Sequence, residues 1–367
     1  MWLKNITLLN FKNYTDADLH FSETVNVFTG NNGSGKTNML DAIHYLCLCK
    51  SYFNPIDSQQ IKTNEEVFMI QGDFDRNEKN EKISCGVKRN QKKQFKRNKK
   101  EYDKLADHVG LFPVVMVSPY DVNLIMEGSE ERRKFIDNVI SQTDAHYLDQ
   151  LITYNRILLN RNALLKQIAI TRKYDPTLLE ILDEQLIIAG NKIFTIRKAF
   201  MDEFIPLFNQ YYTYLTENRE IVELNYQSQL NEATFEELLK KSVEKDRVLE
   251  RTTTGIHKDE LAFVISGMPL KKFGSQGQQK SFLIALKIAQ YAYLAKNNGF
   301  KPLLLLDDIF DKLDDNRVQK LMQMVSHHDF GQIFITDTGR ERVKSIFEKI
   351  EVDVTLFEVD NGTIQNA

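Results

Sequence analysis

The sequence predicts an α/β fold interrupted by a helical insert. Three observations carry that reading. The apolar run Val25–Thr29 leads into a glycine-rich segment, and apolar residues at helical spacing follow over 38–48. A second apolar run, Leu303–Leu306, ends in two aspartates. Between them, helical periodicity dominates over 129–249.

The elements read in order as follows. Residues 2–9 and 14–21 carry apolar side chains near period two, the pattern of half-buried strands. Residues 66–74 and 81–87 read as two further strands. Residues 88–104 are strongly basic and read as a solvated hairpin or loop. Val114–Val117 reads as a buried strand ending at Ser118 and Pro119. Within the insert, 178–204 reads as one helix, with a break expected before Pro206. Asp175 and Pro176 read as a turn between two long helices. No heptad run is long enough for an extended coiled coil, and there is no fixed-period repeat. Strands return at 260–266, 303–306 and 332–336, with helices at 276–296 and 316–326. The expected division is 1–120, a helical insert at 121–250, and 251–367.

Composition narrows the class. The chain has 367 residues, 42% hydrophobic and 27% charged, which excludes a wholly disordered chain. No stretch approaches the roughly 18–20 apolar residues of a membrane span, and residues 1–10 lack an apolar signal core. Three cysteines, Cys47, Cys49 and Cys85, suit a reducing cytoplasm. With 48 Lys+Arg against 51 Asp+Glu the net charge is −3, so contact with nucleic acid must come from local basic patches.

Three segments carry chemistry. Gly30, Asn31, Asn32, Gly33, Ser34, Gly35, Lys36 and Thr37 fit the phosphate-loop pattern in full. Glycines let backbone N–H groups approach phosphate oxygens. Lys36 supplies a charge for the β- and γ-phosphates, Thr37 is placed to ligate Mg²⁺, and the helix start favours an anion. Second, Asp307 and Asp308 end a buried strand, where ligands gather in open α/β sheets. Asp307 is the candidate Mg²⁺ ligand and Asp308 the candidate to orient attacking water. Third, Ser275, Gly277 and Gln278 open a helix shortly before that strand. Ser275 is a candidate cap, and Gly277 allows close approach of a phosphate.

Smaller features have blander readings. His257 reads as a hydrogen-bonded structural histidine or as a contact to nucleotide or metal. Cys47 and Cys49 face different directions on a helix, which does not suit a metal site. Arg132, Arg133 and Lys134 suit either a partner, DNA or plain surface charge.

A serine-glycine helix start preceding an acidic strand is the layout of ABC-type ATPases, and the match becomes narrower. Asn10-Phe11-Lys12-Asn13-Tyr14, the phosphate loop, Ser118-Pro119 with Asp121, Arg132–Asp137, Gly255–Leu261, Gly274–Lys280 and Asp307–Asp308 with Asp311-Lys312-Leu313-Asp314 together resemble the RecF family, in the SMC-like branch. The resemblance implies an ABC-type P-loop head, lobe I, with a mixed sheet around the Walker A helix, and a mostly helical lobe II. It implies ATP contacts at Lys12 and Asn13, and a homodimer in which Ser275, Gly277 and Gln278 close in trans on ATP. It further implies slow hydrolysis as a switch, binding to gapped or duplex DNA and single-strand junctions, and cooperation with RecR and RecO in loading RecA. Departures are Lys for Arg at Lys12, Lys258 and Lys280, Ile256 for Pro, Asp311-Lys312 for Ser-Glu, and Asp337 where a switch histidine is usual.

For DNA, the basic run offers Lys88, Arg89, Lys92, Lys93, Lys96 and Arg97 as phosphate contacts. Phe95 and Tyr102 are interleaved as candidates for base stacking. Three other readings stay open: an SMC-like ATPase of phage defence or attached to a nuclease, an ATPase subunit of a transporter, and a scaffold that binds ATP without hydrolysing it.

Overall fold

The computed structural model describes residues 1–173, 176–217, 220–309, 315–326, 329–348 and 352–366. The chain forms two compact units, Met1–Asp121 with Lys280–Ala367, and Val122–Gln279. The split α/β unit is therefore present, but its second boundary lies at 279 rather than near 250.

The first unit holds two sheets. One is antiparallel, in the order β2-β1-β4-β5-β6-β7, from β1 (Trp2–Leu9), β2 (Asp16–His20), β4 (Val67–Arg76), β5 (Lys79–Lys88), β6 (Gln94–Arg97) and β7 (Lys100–Glu101). The other has the order β15-β14-β3-β13-β12-β8, from β3 (Val25–Thr29), β8 (Val114–Val117), β12 (Leu303–Leu306), β13 (Ile333–Asp337), β14 (Val354–Asp360) and β15 (Thr363–Asn366). Only the β14–β15 pair is antiparallel within it. Helix α1 (Lys36–Leu48) touches β4 and β5 of one sheet and β8 and β13 of the other. Its residues Met39, Leu40, Ile43 and Leu46 are fully buried. The helix is buried over most of its length, and its polar side chains Asp41 and His44 are buried too, each with a hydrogen-bond partner. The basic run forms the hairpin expected of it, through β6 and β7.

The second unit contains α2 (Asn123–Met126), α3 (Ser129–Ser141), α4 (Ala145–Thr171), α5 (Pro176–Thr216), α6 (Phe235–Leu249) and α7 (Leu270–Phe273). It also holds a small antiparallel sheet, β11-β10-β9, from β9 (Val222–Gln227), β10 (Glu260–Ile265) and β11 (Met268–Pro269). Strand β9 interrupts the stretch expected to be helical. Its pairing with β10 draws 251–279 into this unit. Two ion pairs reinforce that: Arg132 with Glu260 at 2.6 Å and Arg197 with Asp259 at 2.7 Å.

Pro206 does not end a helix; α5 runs through it to Thr216. Pro206 lies on the exposed side, so the carbonyl that its missing N–H leaves unpaired faces water. Phe200, Phe204, Phe208 and Tyr212 carry the buried stripe past it. Of the expected turn at Asp175-Pro176, Asp175 lies outside the described residues. Helix α8 (Gln276–Asn298) begins in the second unit and continues into the first, and α9 (Asp315–Ser326) and α10 (Arg340–Glu348) complete the first.

Candidate nucleotide site

The second sheet of the first unit brings three strand ends together. Strand β13 lies between β3 and β12, with Thr29 opposite Asp337 and Leu306 opposite Ile335. Their C-terminal ends carry the phosphate loop, Asp337, and Asp307 with Asp308, so residues 270 positions apart in sequence share one edge.

The loop itself demands glycine. Gly30 has φ 150°, and a Cβ there would lie 2.2 Å from the Val359 carbonyl oxygen. Gly35 has φ 123°, and a Cβ would lie 2.5 Å from the Asn13 side chain. Three donors brace the loop from outside. Asn13 Nδ2 donates to the Ser34 carbonyl at 2.9 Å, the Tyr14 hydroxyl to the Gly35 carbonyl at 2.8 Å, and the Gly362 N–H to the Ser34 carbonyl at 2.9 Å. Asn38 Nδ2 in turn donates to Asn13 Oδ1 at 2.7 Å. Lys36 Nζ donates to the carbonyls of Gly30 at 2.7 Å and Asn31 at 2.9 Å. Helix α1 starts at Lys36, so its first N–H groups open onto the loop.

The acidic edge is held by hydroxyls. Thr37 Oγ1 and Thr336 Oγ1 each donate to Asp307 Oδ1 at 2.8 Å. Thr336 Oγ1 also accepts from the Asp308 N–H at 2.9 Å. Asp308 has φ 46°, the left-handed region that few non-glycine residues adopt. Burial pushes the Asp307 carboxyl above the ordinary carboxylate range, against the two hydroxyl donors. A divalent cation beside it would favour the ionised form. Thr37 and Asp307 offer hard oxygen donors, the chemistry Mg²⁺ prefers. Among the described residues no cluster of three or more His, Cys, Asp or Glu could hold a metal. A Mg²⁺ here would take few protein ligands and complete its shell with phosphate and water. Asp337 is buried and accepts from the Gly339 N–H at 2.6 Å.

Other expected site residues are placed as follows. Lys12 is engaged by Asp41 at 2.6 Å, its ammonium also lying over the Phe11 and Phe53 rings. Asn13 acts on the loop backbone. In the second unit, Ser275 Oγ accepts from the Gln278 N–H at 3.2 Å, and the Ser275 N–H donates to Gln278 Oε1 at 2.7 Å. This reciprocal capping box bears out the capping role of Ser275 and leaves the serine exposed at the tip of α8. Gly277 lies in the first turn of that helix. Asp311, Lys312, Leu313 and Asp314 lie outside the described residues.

His257 is structural. Its Nε2 donates to the Thr252 carbonyl at 3.1 Å, its Nδ1 accepts from the Tyr154 hydroxyl at 2.7 Å, and burial lowers its pKa to about 4. Arg132 is held by both Glu260 oxygens, and Arg133 donates to the Asp259 carbonyl at 2.7 Å. These arginines fasten the 255–261 segment.

Two members of the basic run leave the DNA-contact set. Lys93 is part-buried in an ion pair with Asp57 at 2.9 Å, and Arg97 pairs with Glu81 at 2.6 Å. Phe95 is in the core, and Tyr102 bonds His108 at 3.0 Å, so neither is a stacking platform. Lys88 and Lys92 are exposed, Lys96 is half-buried, and Arg89 Nε donates to the Glu65 carbonyl at 3.1 Å.

Sequence reasoning missed Thr336, Tyr14 and Gly362 as parts of the site. The pair Asn361-Gly362, with φ 47° and 81°, is a legible hairpin turn, but its docking on Ser34 has no local signal.

The profile of the RecF/RecN/SMC N terminal domain matches residues 2–365. A DNA replication and repair protein RecF of Flavobacterium johnsoniae is 50% identical over 359 residues, 98% of this chain and 100% of that protein. One of Parabacteroides distasonis is 49% identical, covering 100% and 99%. Among solved structures, the recombination mediator protein RecF with ATP in the RecFOR pathway is 31% identical. It superposes at TM-score 0.90, over 100% of this chain and 97% of that one. An Smc head domain from Pyrococcus furiosus, 15% identical at TM-score 0.59, shares the fold. The architecture is that of an ABC-type ATPase head. Among the described residues no helix is long and apolar enough to cross a membrane.

Proposed function

Because this chain belongs to the RecF/RecN/SMC N terminal domain family, we propose that it is an ATP-dependent DNA-binding protein of DNA replication and recombinational repair. The observation that carries the reading is the 2.8 Å hydrogen bond from Thr37 to Asp307, which joins a phosphate loop to an acidic strand end.

The residues divide the work. Backbone N–H groups of 30–37 and the start of α1 cradle the triphosphate. Lys36 exchanges two loop carbonyls for β- and γ-phosphate oxygens. Thr37 and Asp307 would hold Mg²⁺, which when bound offsets charge on the β- and γ-phosphates. Asp308 orients the attacking water, and Asp337 is a second carboxylate at that edge. Lys12 reaches nucleotide only by leaving Asp41.

Ser275, Gly277 and Gln278 complete the site from a second copy of the chain, with ATP at the interface of a homodimer. Hydrolysis is slow and works as a switch. Shifting a dimer population takes on the order of 1–5 kcal/mol of differential binding. Lys88, Arg89, Lys92 and Lys96 contact DNA phosphates, which gives affinity without sequence reading. The substrate is duplex or gapped DNA, the partners are RecR and RecO, the outcome is loading of RecA, and the place is the cytoplasm.

Phosphate release tests the reading. The wild type should release phosphate slowly from ATP, and faster with duplex DNA. Asp308→Asn should keep ATP binding and slow release by about 100-fold, the scale of a general-base contribution. Unchanged release by Asp308→Asn would instead favour a scaffold that binds ATP without this carboxylate acting.

A further inference from the structure

Helix α4 is apolar on two opposite sides. Tyr154, Ile157, Leu165 and Ile168 are buried against the rest of the second unit. At about 100° per residue, Ile152, Leu159, Ala163 and Ile170 fall within about 40° of one another on the opposite side. That side is solvent: Leu159 is 70% and Ile170 82% exposed. The stripe spans 18 residue steps, or about 27 Å. A surface helix ordinarily turns a polar face to water, so a second apolar stripe marks a face that another molecule covers.

The stripe also has a shoulder and a rim. Val248 and Leu249, at the end of α6, line one groove with Leu159 and Ala163, and Val248 is 79% exposed. Lys166 and Arg251 line the same groove with one carboxylate, the exposed Glu250, so with Arg156 at its edge the face carries three cations against one anion. The Asn162 side chain fixes that wall, accepting from the Thr252 N–H at 2.7 Å. Between Ile152 and Ile170 every charged residue of α4 is a cation: Arg156, Arg161 and Lys166. Of these, Arg161 is buried by Asp183 and Asp246, while Arg156 and Lys166 are exposed.

We infer that this face docks an acidic amphipathic helix of a protein partner. The apolar side of such a helix lies along Leu159, Ala163 and the Val248–Leu249 shoulder, and its carboxylates meet Arg156, Lys166 and Arg251. Duplex DNA would answer the cations but leave the leucines and isoleucines in water. A second copy of this chain would bring only one carboxylate, Glu250, to answer Arg156, Lys166 and Arg251. The proposal goes beyond the ATP and DNA reading and uses none of its residues.

The probe is a fluorescein-labelled synthetic peptide of about 18 residues, long enough for the stripe. It has leucines at helical spacing on one side and glutamates on the other, and the control carries lysines instead. Anisotropy should show the glutamate peptide binding the full-length protein at least about tenfold more tightly than the lysine peptide. Leu159→Ser with Val248→Ser, and separately Lys166→Glu with Arg251→Glu, should each weaken it by about tenfold or more. Circular dichroism and binding of a fluorescent ATP analogue should stay unchanged in both variants. Three results overturn the inference: no binding or no discrimination between the peptides, displacement of the peptide by duplex DNA with the same variants losing DNA affinity, or self-association of the wild type that Leu159→Ser abolishes.

Discussion

Lys93 Nζ lies 2.6 Å from the carbonyl oxygen of Cys49, the residue that closes α1. The same ammonium reaches Asp57 at 2.9 Å and the Tyr45 hydroxyl at 3.1 Å. A cation at a helix C-terminus complements the dipole and satisfies an orphan carbonyl. One lysine of a run that reads as a solvated patch is thus a fastener between the basic hairpin and the helix that carries the phosphate loop. Lys93→Met should lower stability by about 2 kcal/mol, below the range for a fully buried pair because Asp57 is partly exposed. Urea midpoints would measure this, and an unchanged midpoint would show that the ion pair contributes nothing.

The exposed Lys88 and Lys92 and the half-buried Lys96 should behave differently. Lys88→Ala, Lys92→Ala and Lys96→Ala combined should leave the urea midpoint within about 0.5 kcal/mol of wild type. They should flatten the dependence of log affinity for duplex DNA on log salt by about 0.9 for each phosphate that is no longer neutralised. Equal affinity and equal salt slope would make the hairpin a bystander.

That contrast shows where sequence reading stops. Lys93 and Lys92 are adjacent and identical in type, and only the tertiary position of Asp57 separates their roles. Strands, the phosphate loop and α1 were legible because each follows from local periodicity and turn chemistry. The pairing of Thr37 with Asp307 was foreseeable only through two motifs read together. Thr336 was not, since a threonine ending a strand is ordinary until β13 is seen between β3 and β12. Strand β9 escaped because a six-residue strand inside long helical stretches has no partner in its own neighbourhood. Pro206 does not end α5 because it lies on the side that faces water, which the local sequence does not encode.

Thr336 is the hinge pin of the acidic edge, and its hydroxyl is the testable part. Thr336→Val removes one donor to Asp307 and the acceptor for the Asp308 N–H, with similar side-chain volume. ATP turnover should fall by about tenfold or more, since a buried N–H loses its partner beside the reacting groups. Thr336→Ser should restore it. Equal rates for all three proteins would leave the hydroxyl without a role.

Three histidines tie stability to pH. His44, His108 and His257 are held to about 4 by burial, each donating an N–H to a backbone carbonyl. The folded value lies below the ordinary 6.5, so the unfolded chain binds more protons between the two. Their contribution is therefore complete above about pH 6.5 and declines as pH falls toward 4, with a slope of up to ~1.4 kcal/mol per pH unit for each histidine. Urea midpoints at pH 7 and pH 5 should differ markedly, and less so in His108→Gln, whose amide can still donate to Leu46. A midpoint that stays flat across this window would contradict the neutral, buried assignment.

The proposed composite site makes the sharpest demand on geometry between copies. Asn32 in the phosphate loop and Gln276 at the tip of α8 are both exposed. The native cysteines Cys47, Cys49 and Cys85 are all buried, and burial pushes their thiols up, so a thiol crosslinker should spare them. In Asn32→Cys with Gln276→Cys, ATP should therefore produce a covalent dimer, and adding Lys36→Ala should abolish it by removing the charge that holds the triphosphate. Light scattering on the uncrosslinked proteins should show the same dependence of mass on ATP. Crosslinks confined to single chains, or a mass indifferent to ATP, would mean that Ser275 caps its helix and does nothing for a neighbour's nucleotide.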